Sequence, residues 1–230
     1  MFLDLTKFIP CYKFIMSNKL KYGKLKMKCE KANIIYKFME HIKDFDSEDF
    51  VRNILFCFAA PTIKGIKAAC LINFRRGGED IKTLWKQNAD GWLNPLGVQW
   101  LLLNENGSGN KNALVLIYRR ELLSRALGCD GACEILKSCG YPLGNLDGCL
   151  ECLRKKFSCG CTGSCFPHEI GLFLDYPPDD VKCFMENKKC ENHLRNGYWK
   201  VYGNVRKAER TFRKYRRAEF DAARSILTAE

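Results

Sequence analysis

Between an Asn- and Gly-rich stretch, residues 104–112, and the pair Arg119-Arg120 runs Ala113-Leu114-Val115-Leu116-Ile117-Tyr118. No residue of this run is charged or an amide. A strand with one wet face alternates apolar and polar side chains, whereas an unbroken apolar run has to be covered on both faces. The segment is therefore expected as a central strand, and the rest of the chain has to supply the layers that cover it.

Helical patterning supplies them. In residues 32–43, Ile34, Ile35, Phe38, Met39 and Ile42 recur at helical spacing. Ser47, followed by Glu48 and Asp49, reads as an N-cap with acid in the first turn of a helix through Phe58, which Pro61 ends. Residues 65–74 read as a strand closed by Arg75-Arg76-Gly77-Gly78. A helix is expected from Asp80, interrupted at 91–95 and followed by a second helical stretch to Leu103. Further helices fit 119–127, 132–139 and 146–157. Residues 197–202, rich in β-formers, read as a third strand. Asn204 then caps a last helix with Val205, Ala208, Phe212 and Tyr215 on one face. The fold class expected is α+β or α/β, with helices packed around a small central sheet of about three strands. Residues 27–230 are expected to form a single globular domain. Residues 1–26, without amphipathic period, are expected to be a disordered basic leader.

The formal charge of +12 is uneven along the chain. Eight lysines stand against Asp4 and Glu30 in residues 1–31, and residues 200–217 hold eight basic side chains against Glu209 alone. The stretch between is close to neutral. Basic ends of this kind attract polyanions: nucleic acid, an acidic protein face or an anionic membrane surface. Along the last helix, Arg206, Arg210, Arg213 and Arg217 share a face beside Lys207 and Lys214, and these six are the candidate binding residues. Phe212 and Tyr215 are expected to face the core instead. No stretch of about 18 apolar residues occurs, so no membrane-spanning helix is expected. Asp4 and Lys7 break up any secretory apolar region. Fourteen cysteines in such a chain point to reduced thiols in a cytoplasmic protein rather than a disulfide scaffold.

Ten of those cysteines fall in residues 129–190. Cys149-x-x-Cys152 has the spacing of a zinc knuckle, and Cys159, Cys161, Cys165 and His168 could complete a tetrahedral thiolate–imidazole site. Buried free thiols would serve equally as small hydrophobes, so zinc is an alternative and no cofactor is required. His168-Glu169 pairs an imidazole with a carboxylate, the side chains of general acid–base catalysis. After Pro167, the same pair also fits a helix N-terminus, where Glu169 is favoured by the dipole. The Gly pairs at 77–78 and 107–109 lack the Lys-Ser/Thr and strand–helix context of a phosphate loop.

Three segments, Ala60-Pro61-Thr62-Ile63-Lys64-Gly65-Ile66-Lys67, Phe166-Pro167-His168-Glu169-Ile170-Gly171-Leu172-Phe173-Leu174 and Gly197-Tyr198-Trp199-Lys200-Val201-Tyr202-Gly203, resemble in kind and order the signature of a bacterial family of domains of unknown function. The resemblance covers roughly residues 30–217 and implies no activity. The family pattern favours Gly where Asp175 and Cys183 stand; Asp can adopt the left-handed backbone that Gly supplies there, at some cost. The signature does not require the many cysteines, which weighs against a structural metal.

The function expected is that of a non-enzymatic binding or regulatory protein whose basic surface engages an acidic protein or a ribonucleoprotein. One instance would be an inhibitor of a bacterial nucleic-acid-guided defence enzyme. The alternatives are an enzyme using His168 and Glu169, and a zinc-stabilised nucleic-acid-binding protein.

Overall fold

A computed structural model describes residues 30–105, 111–158, 166–186 and 193–229. The basic leader at 1–26 lies outside them. Helices α1 (Glu30–Ile42), α2 (Ser47–Phe58) and α3 (Ala60–Ile63) precede strand β1 (Ala69–Phe74). Helix α4 (Ile81–Leu93) leads through a 3-10 turn, Asn94–Leu96, into β2 (Gln99–Leu102) and β3 (Ala113–Tyr118). Then come α5 (Arg120–Leu127), α6 (Asp130–Ser138), α7 (Leu146–Ser158), α8 (Ile170–Phe173) and α9 (Pro178–Glu186). A short hairpin, β4 (Arg195–Asn196) and β5 (Lys200–Val201), precedes the long α10 (Val205–Leu227).

The sheet runs β1-β3-β2 with β3 in the middle, and both pairings are antiparallel, so the architecture is α+β. Every residue of β3 is buried. Its side chains alternate between two cores, as the two-residue period of a strand dictates. Ala113, Val115 and Ile117 meet Val51, Leu55, Trp85 and Leu93 of α2 and α4. Leu114, Leu116 and Tyr118 meet Leu123, Leu136, Leu153 and Phe173 of the helices that follow the sheet. Each fully buried Leu or Ile here is stabilised by about 1.5–3 kcal/mol relative to exposure.

Four local expectations are corrected. Residues 97–103 are not helical. Gly97 takes a left-handed conformation (φ +62°), which stops the helix, and Gln99–Leu102 forms the edge strand β2. Residues 197–202 do not join the central sheet; part of that segment pairs with Arg195–Asn196 in a separate hairpin. The cap of α2 is Asp46, whose carboxylate accepts from Asp49 N at 2.8 Å, rather than Ser47. Pro61 sits in the first turn of α3, where its missing N–H leaves no helical bond unmade, and α2 already stops at Phe58.

Helix α10 lies against α1 through Ala223, Phe38 and Ile42, and against the hairpin through Ala208, Phe212 and Tyr215. Among the described residues no helix is long and apolar enough to cross a membrane.

Candidate functional site

Helix α10 is amphipathic in charge as well as hydropathy. Asn204 caps it by accepting from Lys207 N at 2.9 Å. Ala208, Phe212, Tyr215, Ala218 and Ala223 are buried on one side. Arg206, Lys207, Arg210, Arg213, Lys214 and Arg217 are all exposed on the other. The two aromatics therefore anchor the helix, as expected, and leave the basic row to solvent. Arg217 approaches Asp221 at 3.9 Å, a highly exposed pair of little energetic weight.

Beside this row lies a groove of about 190 Å³ lined by Arg195, Asn196, Glu209, Phe212, Arg213 and Arg216. The hairpin supplies Arg195 and Asn196, and α10 supplies the rest. Arg195 Nε contacts Glu209 Oε1 at 3.3 Å across the groove. The hairpin is held in place from two directions. Asp180, buried in the first turn of α9, accepts from Trp199 Nε1 (2.8 Å), Tyr202 N (2.8 Å) and Gly203 N (2.9 Å). Gly197 presses directly on the Phe212 ring, where an added Cβ would stand 2.0 Å from Cε2. Arg195 and Arg216 were not among the sequence-derived binding residues. Asn196-Gly197 is a local turn signal for this hairpin, but nothing local announces that it brings position 195 beside 213 and 216.

A second centre gathers residues from the sequence segments singled out above. Lys67 is buried, only 6% exposed, and its ammonium lies over the rings of Tyr176 (5.5 Å), Tyr198 (5.8 Å) and Tyr215 (5.3 Å). Such rings attract a desolvated cation by their negative faces. The turn that delivers Lys67 is fixed by Gly65 at φ +68° and by Arg119, which donates to the carbonyls of Thr62 (2.9 Å), Ile63 and Leu96 (3.1 Å). Asp175 has φ +61°, alone among the described non-glycine residues in the left-handed region. Its carboxylate accepts from Ala68 N at 3.3 Å. Burial raises its pKa, opposed by the Ala68 N–H and the Lys67 charge. Glu219, buried on α10, accepts from Tyr198 OH at 2.8 Å. Burial pushes its pKa up to about 7 against the pull of Tyr198, Lys67 and Arg216.

His168 and Glu169 are placed apart in role. Glu169 is buried; it accepts from Tyr141 OH at 3.1 Å and from Lys156 Nζ at 2.6 Å. The Lys156 ammonium also lies 4.3 Å from the Tyr141 ring centre and donates to Cys139 O at 2.9 Å. Burial, then the Glu169 carboxylate, raises the Tyr141 pKa, so its phenol stays protonated as the donor. His168 stands in the turn before α8, which begins at Ile170 rather than at Pro167, and its ring packs between Phe166 and Phe184. The carboxylate of the pair thus ties α7 to the loop after α6.

Of the thiols with ligand spacing, Cys149 donates to Pro142 O at 3.1 Å and Cys152 lies 4.0 Å from Gly140 O. Burial raises the Cys149 pKa, which disfavours the thiolate a metal needs. Cys159, Cys161 and Cys165 lie outside the described residues. Among the described residues no three His, Cys, Asp or Glu side chains form a metal-holding group.

The fold and these two centres define a mixed helix-and-sheet protein with a basic C-terminal helix docked through a hairpin. The chain belongs to the family described as protein of unknown function (DUF3793), whose model matches residues 55–230. All three signature segments fall inside that match, which begins later than the expected position near 30 and runs on past 217. No curated protein and no solved structure matches the chain.

Proposed function

We propose that this is a non-enzymatic binding protein that engages an acidic protein or a ribonucleoprotein through the basic face of α10. One observation carries the reading. Arg206, Lys207, Arg210, Arg213, Lys214 and Arg217 are exposed together on a helix whose opposite side is buried. A helix of 23 residues extends about 34 Å, enough to present these charges to an extended polyanion. The acid–base alternative gains less from the geometry, because the Glu169 carboxylate is already taken up by Tyr141 and Lys156.

The test replaces Arg206, Arg210 and Arg213 with Glu together and measures binding to single-stranded RNA and to polyglutamate over a salt series. The natural chain should bind at low salt, with log K falling as log salt rises. The triple variant should associate at least about tenfold more slowly, since exposed charges act chiefly on the on-rate. Its melting temperature should stay unchanged. Equal association by the two proteins, or no binding to either polyanion at low salt, would sink the reading.

A further inference from the structure

The groove between the hairpin and α10 differs from the open helix face beside it. Along the helix, basic side chains project singly into water. In the groove, Arg195, Arg213 and Arg216 line one space of about 190 Å³ together with Asn196, Glu209 and Phe212. A liquid water occupies about 30 Å³, so the space admits a group of several heavy atoms rather than a lone solvent molecule.

Charge and geometry narrow the ligand. Glu209 opposes one of the three cations, and its contact with Arg195 at 3.3 Å orients that guanidinium across the groove. Glu209 is the one carboxylate among the described lining residues, so with three arginines the lining carries a net charge of about +2. A phosphate monoester carries about −1.5 to −2 at neutral pH and presents three acceptor oxygens. A backbone phosphodiester carries one negative charge. Planar guanidinium forks match phosphate oxygens in pairs, which ammonium groups do not. The hairpin backbone that carries Arg195 and Asn196 is also held in place, by Asp180 on one side and by the Gly197–Phe212 contact on the other. A backbone already in place leaves only the side chains to be ordered when a ligand arrives.

Resting on the reading of α10 as a polyanion-binding face, we infer that this groove receives the terminal phosphate of a nucleic-acid strand. A nucleic acid fits better than a phosphorylated peptide because the cations do not stop at the groove. Arg206, Lys207 and Arg210 continue along α10 toward its N-terminus, and Lys214 and Arg217 lie beyond the groove. A strand whose end sits in the groove would bring further phosphates to that row.

The experiment uses the full chain and fluorescence anisotropy. The probes are one single-stranded oligonucleotide carrying a phosphate at one end, at the other end, or at neither, made as RNA and as DNA. A phosphoserine peptide serves as the rival macromolecule. An oligonucleotide with a terminal phosphate should bind at least about tenfold tighter than its hydroxyl-ended twin, the scale of one or two charge-assisted contacts. R195Q/R216Q, at the two groove arginines outside the basic row, should abolish that preference while keeping the weaker binding common to all the oligonucleotides. R206Q/R210Q should weaken every oligonucleotide alike and keep the preference. Equal binding of phosphate- and hydroxyl-ended strands overturns this inference and leaves the polyanion reading standing. A preference that survives in R195Q/R216Q, or tighter binding of the phosphopeptide, also overturns it. Absence of all oligonucleotide binding by the natural chain overturns this inference, and sinks the polyanion reading as well if polyglutamate binding is also absent.

Discussion

Glu219 shows how a single buried group can set a condition on the fold. Its side chain is almost fully enclosed by α10 and the hairpin, and water is the medium a carboxylate needs to ionise. The folded protein therefore holds the proton up to about pH 7, while an unfolded glutamate releases it near 4.5. Between those values the unfolded chain binds fewer protons than the folded one, so stability falls as pH rises. The favourable contribution is fully present below about pH 4.5 and is gone above about 7, a change of roughly 3 kcal/mol at most. Asp175, also raised by burial, acts with the same sign. Glu219→Gln keeps an acceptor for Tyr198 OH and removes the titration. Urea melts of both proteins across this window should show a slope in the natural chain that is much reduced in the variant. Parallel pH curves would mean that Glu219 is ionised throughout. Asp175 also accounts for a departure noticed in the sequence. Its left-handed backbone costs on the order of 1 kcal/mol relative to Gly, but a Gly would lack the carboxylate that meets Ala68 N beside Lys67.

At the scale of elements, the hairpin is the part whose position depends most on one residue. Its strands are two residues each and would not persist alone. Trp199 and Tyr198 pack on Phe212, and Gly197 is the only residue small enough for the backbone to reach that ring. Gly197→Ala should therefore destabilise the protein by about 1–3 kcal/mol, the usual cost of overpacking. It should also lower affinity for a phosphate-ended strand, because Arg195 and Asn196 move with the backbone. Gly77→Ala, at another glycine outside the left-handed region but with open space around it, is the control for a methyl added without a contact. Equal losses in the two variants would show that contact with Phe212 is unimportant. Elements with a long, clean period were legible from the sequence: α1, α2, β3, α5 and the buried face of α10 stand within a few residues of expectation. Strand β2 was not, because 98–103 is a short, nearly unbroken apolar run around Gln99 that suits helix or strand equally. The hairpin failed for a different reason, since its placement comes from docking on α9 and α10 rather than from its own residues. The site divides in the same way: the row on α10 follows from helical spacing, whereas the groove needs the hairpin folded back onto α10, which spacing alone does not show.

For the molecule as a whole, the polar groups separate into those that hold it together and those it presents. Lys67 with its tyrosines ties the turn before β1 to the hairpin and α10. Glu169, with Tyr141 and Lys156, does the equivalent among the helices that follow the sheet by tying α7 to the turn before α8. Removing a partner from such a buried set leaves an uncompensated group, at a cost of about 3–5 kcal/mol for a buried ion pair. Lys156 is partly exposed, so Glu169→Gln should cost less, roughly 1–2 kcal/mol. His168→Ala, losing its packing between Phe166 and Phe184, should cost a similar amount. Neither change should alter polyanion binding measured well below the melting point. The arginine reversals on α10 should do the opposite, changing binding and sparing the melt. The two sets of variants, taken through thermal melts and the salt-dependent binding assay, form a crossed design. If His168→Ala or Glu169→Gln removed binding with the melt intact, the pair would belong to a functional site, and the division of labour argued for α10 would be wrong.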